Sequence, residues 1–224
     1  MPAVDRVLPL LSGEKLSREE FLRRWEAMPQ LKHAELIGGV VYVPSPLSSA
    51  HGSGVSLVNY WLAHYARFTP GCESGSNRTW LMLRDAPQPD VDLRILPAYG
   101  GQSHVKGLYC EGAPELAAEV TWSSSAHDLG PKLDLYHRAG VREYISLLLD
   151  EPRVIWRRND GGAYVVVHPD SDGVVRSAVF PGLWLDPQAL LDQQAARLLE
   201  VLEQGLKSPE HEQFARDLAA RKGG

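Results

Sequence analysis

The sequence is short of long apolar runs. Its longest, such as Ile145 to Leu149, are interrupted within a few residues, against the roughly 20 consecutive apolar residues that a membrane-spanning helix needs. No membrane partner is expected. The opening stretch MPAVDRVLPLLSGEK holds one Arg, a broken apolar segment and no clear small-residue cleavage site, so no secretory signal is read there and a cytoplasmic location is expected. Cysteine is scarce as well. Cys72 and Cys110 match no CxxC spacing and, in a reducing compartment, read as small buried or half-buried residues with no assigned chemistry. Nor is there a surplus of positive charge: 23 Lys and Arg against 28 Asp and Glu give a formal charge of −5. That argues against a protein that simply coats nucleic acid, because such binding draws mainly on phosphate neutralisation. A nuclease stays open, since a metal site needs carboxylates. Local basic clusters, Arg23-Arg24 or Arg153 with Arg157 and Arg158, could contact a backbone, although a solvated surface is the first reading of such residues. What remains is a globular composition, 44% apolar and 23% charged, without repeats or low-complexity tracts. The 224 residues suit one core, assigned to residues 1–206, with a charged C-terminal tail over 207–224 that is expected to fray.

Along the chain, SREEFLRRWEAM from Ser17 carries a Ser cap with Glu20 three residues on, and reads as a short helix ending near Pro29. In AELIGGVVYVPSP, Gly38-Gly39 sits between two β-rich runs, which predicts a tight hairpin over residues 34–43. From Ser49 to about Phe68 the spacing of Val55, Val58, Leu62 and Tyr65 predicts a helix with one broad buried face. TWLML, VDLRIL and ELAAEVTW follow as candidate central strands bounded by breakers. A helix beginning at Gly130-Pro131 and stopping at Gly140 comes next, then the strand REYISLLLD. RVIWRR, AYVVVH and GVVRSAVF suggest an antiparallel meander, and a last helix is expected from about Pro187 to Gln204. Together these predict an α/β (α+β) architecture, a mixed β-sheet flanked by the two longer helices, with the antiparallel meander in addition.

Three features carry chemistry. Pro89-Asp90-Val91-Asp92-Leu93 opens a strand with two acids at period two, on one face. Glu119 stands in the middle of the apolar strand Leu116-Ala117-Ala118-Glu119-Val120-Thr121, and a buried carboxylate needs a cation, a proton or a donor. Asp128 and Lys132 lie four apart at the start of the next helix, from which Lys132 can swing back toward the strand end. Asp90, Glu119 and the carbonyl of Val120 are hard oxygen donors suited to Mg²⁺ or Mn²⁺. A cation there would acidify water and offset charge on a scissile phosphate, with Lys132 orienting the water or holding the phosphate. Taken singly, each residue has a plainer role: Asp90 as a turn cap, Glu119 in an internal ion pair, Asp128 with Lys132 as an exposed pair worth about 0.3 kcal/mol. Ser123 to Ser125 with His127 and Asp128 have the residue types of a serine hydrolase, but they are sequence neighbours and lack a GxSxG elbow.

The stretch EVTWSSSAHDLGPKLDLYHRAGVREY, Glu119 to Tyr144, resembles the hallmark segment of the Uma family of bacterial endonucleases, close to EVLSPSTxxxDxxxKxxLYxxAGVxEYW, without a gap. Pro89-Asp90 resembles that family's PD motif, Ala34-Glu35-Leu36-Ile37 its YELIDGE hairpin, and Phe180-Pro181-Gly182-Leu183 its PGL turn, so the likeness covers roughly residues 17–192. It implies the PD-(D/E)xK restriction-endonuclease-like fold and an Mg²⁺- or Mn²⁺-dependent endonuclease. The expected substrate is DNA, with a homodimer by analogy. It also implies Asp90 and Glu119 as metal ligands, Lys132 as a catalytic lysine displaced onto the helix, and Glu35 and His51 as auxiliary groups facing the same cleft. The chain departs from the pattern in three places. IDGE is Ile37-Gly38-Gly39-Val40 here, SPS is Trp122-Ser123-Ser124, and YW is Tyr144-Ile145. These changes fit altered specificity or a degenerate relative that binds nucleic acid or a protein partner.

Overall fold

Local signals set the first elements. The Glu20 backbone N–H donates to Ser17 Oγ at 3.2 Å, which caps helix α1 (Arg18–Glu26). Strands β1 (Glu35–Ile37) and β2 (Val40–Tyr42) meet across Gly38 and Gly39, at φ +60° and +74°, the left-handed pair that a two-residue hairpin turn demands. A computed structural model describes residues 7–44, 48–122 and 126–222, with backbone alone for 126–129. Helix α2 (Ser49–Phe68) starts at Ser48, whose Oγ accepts from the His51 N–H at 3.2 Å. It buries Val58, Trp61, Leu62 and Tyr65, the face that the apolar spacing predicts.

Strands β3 (Cys72–Ser76), β4 (Trp80–Leu81), β5 (Val91–Ile95), β6 (His104–Lys106), β7 (Tyr109–Glu111) and β8 (Leu116–Thr121) follow. Then come helix α3 (Ala126–Ala139) and strands β9 (Glu143–Leu148), β10 (Arg153–Asn159), β11 (Tyr164–Val167), β12 (Val175–Arg176) and β13 (Trp184–Leu185). Helices α4 (Pro187–Leu191), α5 (Ala195–Leu206) and α6 (Pro209–Arg221) complete the order. The main sheet runs β11-β10-β9-β8-β5-β3. Its β8–β9 pair is parallel and the rest antiparallel, because α3 supplies the crossover that a parallel pair requires. Helices cover both faces. On one, Val91, Leu93, Ala118 and Val120 pack with Trp61 and Tyr65 of α2 and with Leu198 and Leu202 of α5. On the other, Ala117 and Tyr144 pack with Leu135 and Tyr136 of α3 and Ile37 of the hairpin. Packing between α2 and β8 is close enough that a Cβ on Gly54 would meet Val120 Cγ1 at 2.9 Å. No helix among the described residues is long and apolar enough to cross a membrane.

Five elements differ from the sequence reading. TWLML yields only β4, which lies outside the main sheet in a three-stranded β4-β7-β6 sheet. Leu83 at φ +53° and the Met82–Asp85 turn end it. The place beside β5 in the main sheet belongs to β3, whose sequence CESGS has little β-propensity. Of the predicted meander, β10 and β11 extend the main sheet, while β12 leaves to pair with β13. The helix expected over 187–204 is two, broken where Gln193 takes φ +53°. Helix α3 begins before Gly130-Pro131 and carries Pro131 inside it. The tail expected to fray contains α6. Ser208 caps it, Pro209 starts it, Leu218 is fully buried, and Phe214 meets Phe180 edge-on at 6.5 Å.

If α6 is part of the fold, Leu218→Ala lowers the unfolding free energy by about 2–5 kcal/mol, measured by urea denaturation. A loss near zero would return the segment to the status of a frayed tail.

Candidate active site

Strands β5 and β8 pair antiparallel with Val91 opposite Ala118 and Asp92 opposite Ala117. The next position on that register sets Asp90 across from Glu119. Asp90 precedes β5 and its carboxylate reaches over the strand end, where Oδ2 accepts from the Val120 N–H at 2.8 Å. His51, in the first turn of α2, brings Nε2 to within 3.4 Å of the same Oδ2. The backbone of Val120 is thus tied to Asp90, and its side chain is held against Gly54.

Glu119 is 6% exposed, and its Oε1 accepts from Lys132 Nζ at 3.0 Å and from the Tyr136 hydroxyl at 2.7 Å. Lys132 and Tyr136 stand one turn apart on α3 and so address the same point. Lys132 Nζ also meets Glu35 Oε1 at 2.9 Å, and that oxygen accepts the Gln88 backbone N–H at 2.7 Å. One ammonium therefore bridges the hairpin, β8 and α3.

Burial pushes the Glu119 carboxyl upward, with Lys132 opposing it and the negative charges of Asp90 and Glu35 adding to it. Burial would lower Lys132, yet Glu119, Glu35 and Asp90 override it and raise its pKa, so the ammonium stays charged. His51 is raised chiefly by its hydrogen bond to Asp90, against the effect of burial, with Glu119 and the Val120 backbone contributing. Its Nδ1 is buried without a partner among the described residues. Three carboxylates thus face one lysine and one histidine.

The chain matches the profile of the Uma2 family, described as "Putative restriction endonuclease", over residues 18–188. It belongs to the Uma2 family. Among solved structures, it is similar to that of a "putative nuclease belonging to DUF820" from Anabaena variabilis ATCC 29413, with TM-score 0.58 and 14% identity, covering 84% of this chain and 99% of that one. At that identity the likeness is one of fold. A search of curated proteins finds no match.

Of the residues that the sequence singles out in this Uma2 member, the structure brings Asp90, Glu119, Val120, Lys132, Glu35 and His51 to one place. The side chain of Asp128 lies outside the described residues, as do Ser123 to Ser125 and the side chain of His127. Asp92 shares a strand face with Asp90 but serves otherwise. It is fully buried, paired with Arg78 and bonded by Trp80 Nε1 at 3.2 Å. Sequence reading passed over Tyr136, for which the one available signal was its place four residues after Lys132.

Proposed function

We propose that this Uma2-family chain is an Mg²⁺- or Mn²⁺-dependent endonuclease that hydrolyses phosphodiester bonds, with DNA as substrate. The observation that carries the reading is the buried Glu119 carboxylate, on the strand whose Val120 N–H holds Asp90, gripped by a charged lysine from the next helix.

The donor set fits a hard divalent cation. Val120 N–H and His51 both address Asp90 Oδ2, and Lys132 and Tyr136 both address Glu119 Oε1, which leaves Asp90 Oδ1 and Glu119 Oε2 outside these bonds. Among the described residues no group of three or more His, Cys, Asp or Glu forms a cage for a metal ion. Two carboxylates with the Val120 carbonyl match the way Mg²⁺ is commonly held, by few protein oxygens and retained water. Such a cation, when bound, supplies positive charge beside the scissile phosphate and acidifies water.

The chain's own residues do the positioning. An ammonium has three hydrogens. Two of those of Lys132 are directed to Glu35 and Glu119, and the third can hold the attacking water or a phosphate oxygen, where fixed positive charge counters the negative charge that builds during displacement. Glu35 acts through Lys132, and Tyr136 acts through Glu119 by fixing the rotamer of its carboxylate. His51, with Nε2 3.4 Å from Asp90 Oδ2, helps hold that carboxylate in place. Burial strengthens each of these electrostatic effects.

Nicking of supercoiled plasmid with Mn²⁺ or Mg²⁺ tests the reading. Wild type is expected to nick, Glu119→Ala and Lys132→Ala to lose at least about 10²-fold in rate, and Tyr136→Phe to lose far less. No cleavage with either metal, together with Mn²⁺ binding unchanged by Glu119→Ala, would instead indicate a relative that binds without cutting.

A further inference from the structure

Of the six tryptophans, five are buried or half-buried. Where their indole N–H groups are bonded, they reach structural acceptors: Trp25 the Leu31 carbonyl, Trp61 the Trp184 carbonyl, Trp80 the Asp92 carboxylate. Trp122 differs. It is 60% exposed, one residue past the end of β8 and three past Glu119. Leaving so large a ring in water forgoes the stabilisation its burial would give. Its backbone is nonetheless firmly held. The Leu149 N–H donates to the Thr121 carbonyl at 2.9 Å and the Asp150 N–H to the Trp122 carbonyl at 3.1 Å, so hydrogen bonding along the β8–β9 side runs on through the root of the ring.

A second exposed ring lies on the hairpin that carries Glu35. Tyr42, 42% exposed, pairs directly with Glu35 across the β1–β2 hairpin. Opposite residues of an antiparallel ladder share a face, with Cβ atoms about 5 Å apart. One exposed aromatic thus pairs with Glu35, and the other follows three residues after Glu119 along the chain. Charge gives little help with a polyanion here. Lys132 is engaged by Glu35 and Glu119, Arg78 by Glu73 and Asp92, and Arg94 by Glu73, in a chain of net charge −5. Phosphate neutralisation is limited at this surface, and contact with bases must draw on stacking, which an aromatic face offers to any base.

We propose that Trp122 and Tyr42 are stacking platforms for unpaired nucleobases, so that the substrate class of this site is single-stranded or locally opened DNA. The proposal rests on the nuclease reading above. In an intact duplex the base faces are hidden in the stack, and only a single-stranded, frayed or extruded nucleotide can lie on these rings. Trp122 stands where the family pattern has the first Ser of Ser-Pro-Ser, so the platform belongs to this chain in particular.

Binding, measured apart from cleavage, tests it. Fluorescence anisotropy in EDTA would use a fluorescein-labelled single-stranded DNA oligonucleotide and the blunt duplex of the same sequence, with wild type, Trp122→Ala, Trp122→Phe and Tyr42→Ala. The single strand is expected to bind more tightly than the duplex. Trp122→Ala should weaken it roughly ten- to hundredfold, Tyr42→Ala less, and Trp122→Phe should recover part of the loss. Unlabelled single strand should also quench the long-wavelength tryptophan emission of wild type and not of Trp122→Ala. Both side chains are exposed, so thermal melting of the variants should match wild type. Wild-type binding that Trp122→Ala leaves unchanged would overturn the stacking proposal and leave the nuclease reading standing. A wild type that binds no oligonucleotide and nicks no plasmid would overturn both. A change from dimer to monomer in Trp122→Ala on gel filtration, at constant DNA affinity, would reassign the ring to contact between copies of this chain.

Discussion

The site hangs on a buried ammonium. Lys132 is rooted in α3, bonded to Glu119 in β8 and to Glu35 in β1, and it ties together three segments that apolar packing alone brings near one another without fixing their distances. Removing either carboxylate leaves a charge in a place that water reaches poorly, and such a loss is dearer than the bond itself is worth. A buried ion pair is not the cheapest way to stabilise a sheet. Apolar residues of the same volume would hold α3 on β8 at least as well. What the arrangement provides instead is a fixed cation beside two carboxylates, which is chemistry rather than cohesion.

The two acids of Pro89-Asp90-Val91-Asp92 show how neighbours divide such work. By period two they share a strand face, and nothing in the local sequence separates them. The partners do. Asp92 lies inside the ladder, where Arg78 and Trp80 Nε1 saturate it and the guanidinium stacks over the Trp80 ring at 5.7 Å, so it acts as a structural anchor for the side sheet. Asp90, one step outside the ladder, has Val120 N–H and His51 on one of its oxygens among the described residues. The end of a strand leaves a carboxylate accessible on one side, and the ladder holds it still from the other.

Much of this was legible in the sequence. Gly38-Gly39, the apolar spacing of α2 and the acids of β5 and β8 each rest on short-range rules, and the structure places those elements where the rules put them. Lys132 could be paired with Glu119 because a helix one loop beyond a strand can only fold back along it. Legibility failed where a segment takes its conformation from neighbours. Strand β3 is built from Cys, Glu, Ser and Gly and is extended because β5 and α2 leave it an edge to pair with. Tyr136 reads as a core aromatic until the position of Glu119 is known. The break at Gln193 and the docking of α6 are likewise tertiary: Gly205 in α5 lies so near the Gly182 carbonyl that a Cβ there would sit 2.2 Å from it, and that close packing, more than any propensity, sets where the last helices turn.

The parallel β8–β9 ladder, described above as a matter of topology, also orders events in time. Antiparallel pairs such as β9 with β10 close short loops, but the parallel pair must wait for α3 to form and cross over, a slow closure of non-local contacts. Glu119 lies on the strand that opens that crossover and Lys132 on the helix within it. A chain with its hairpins in place but α3 not yet docked on β8 would lack that pair of charges, so the pair belongs to the crossover unit and not to the hairpins that flank it.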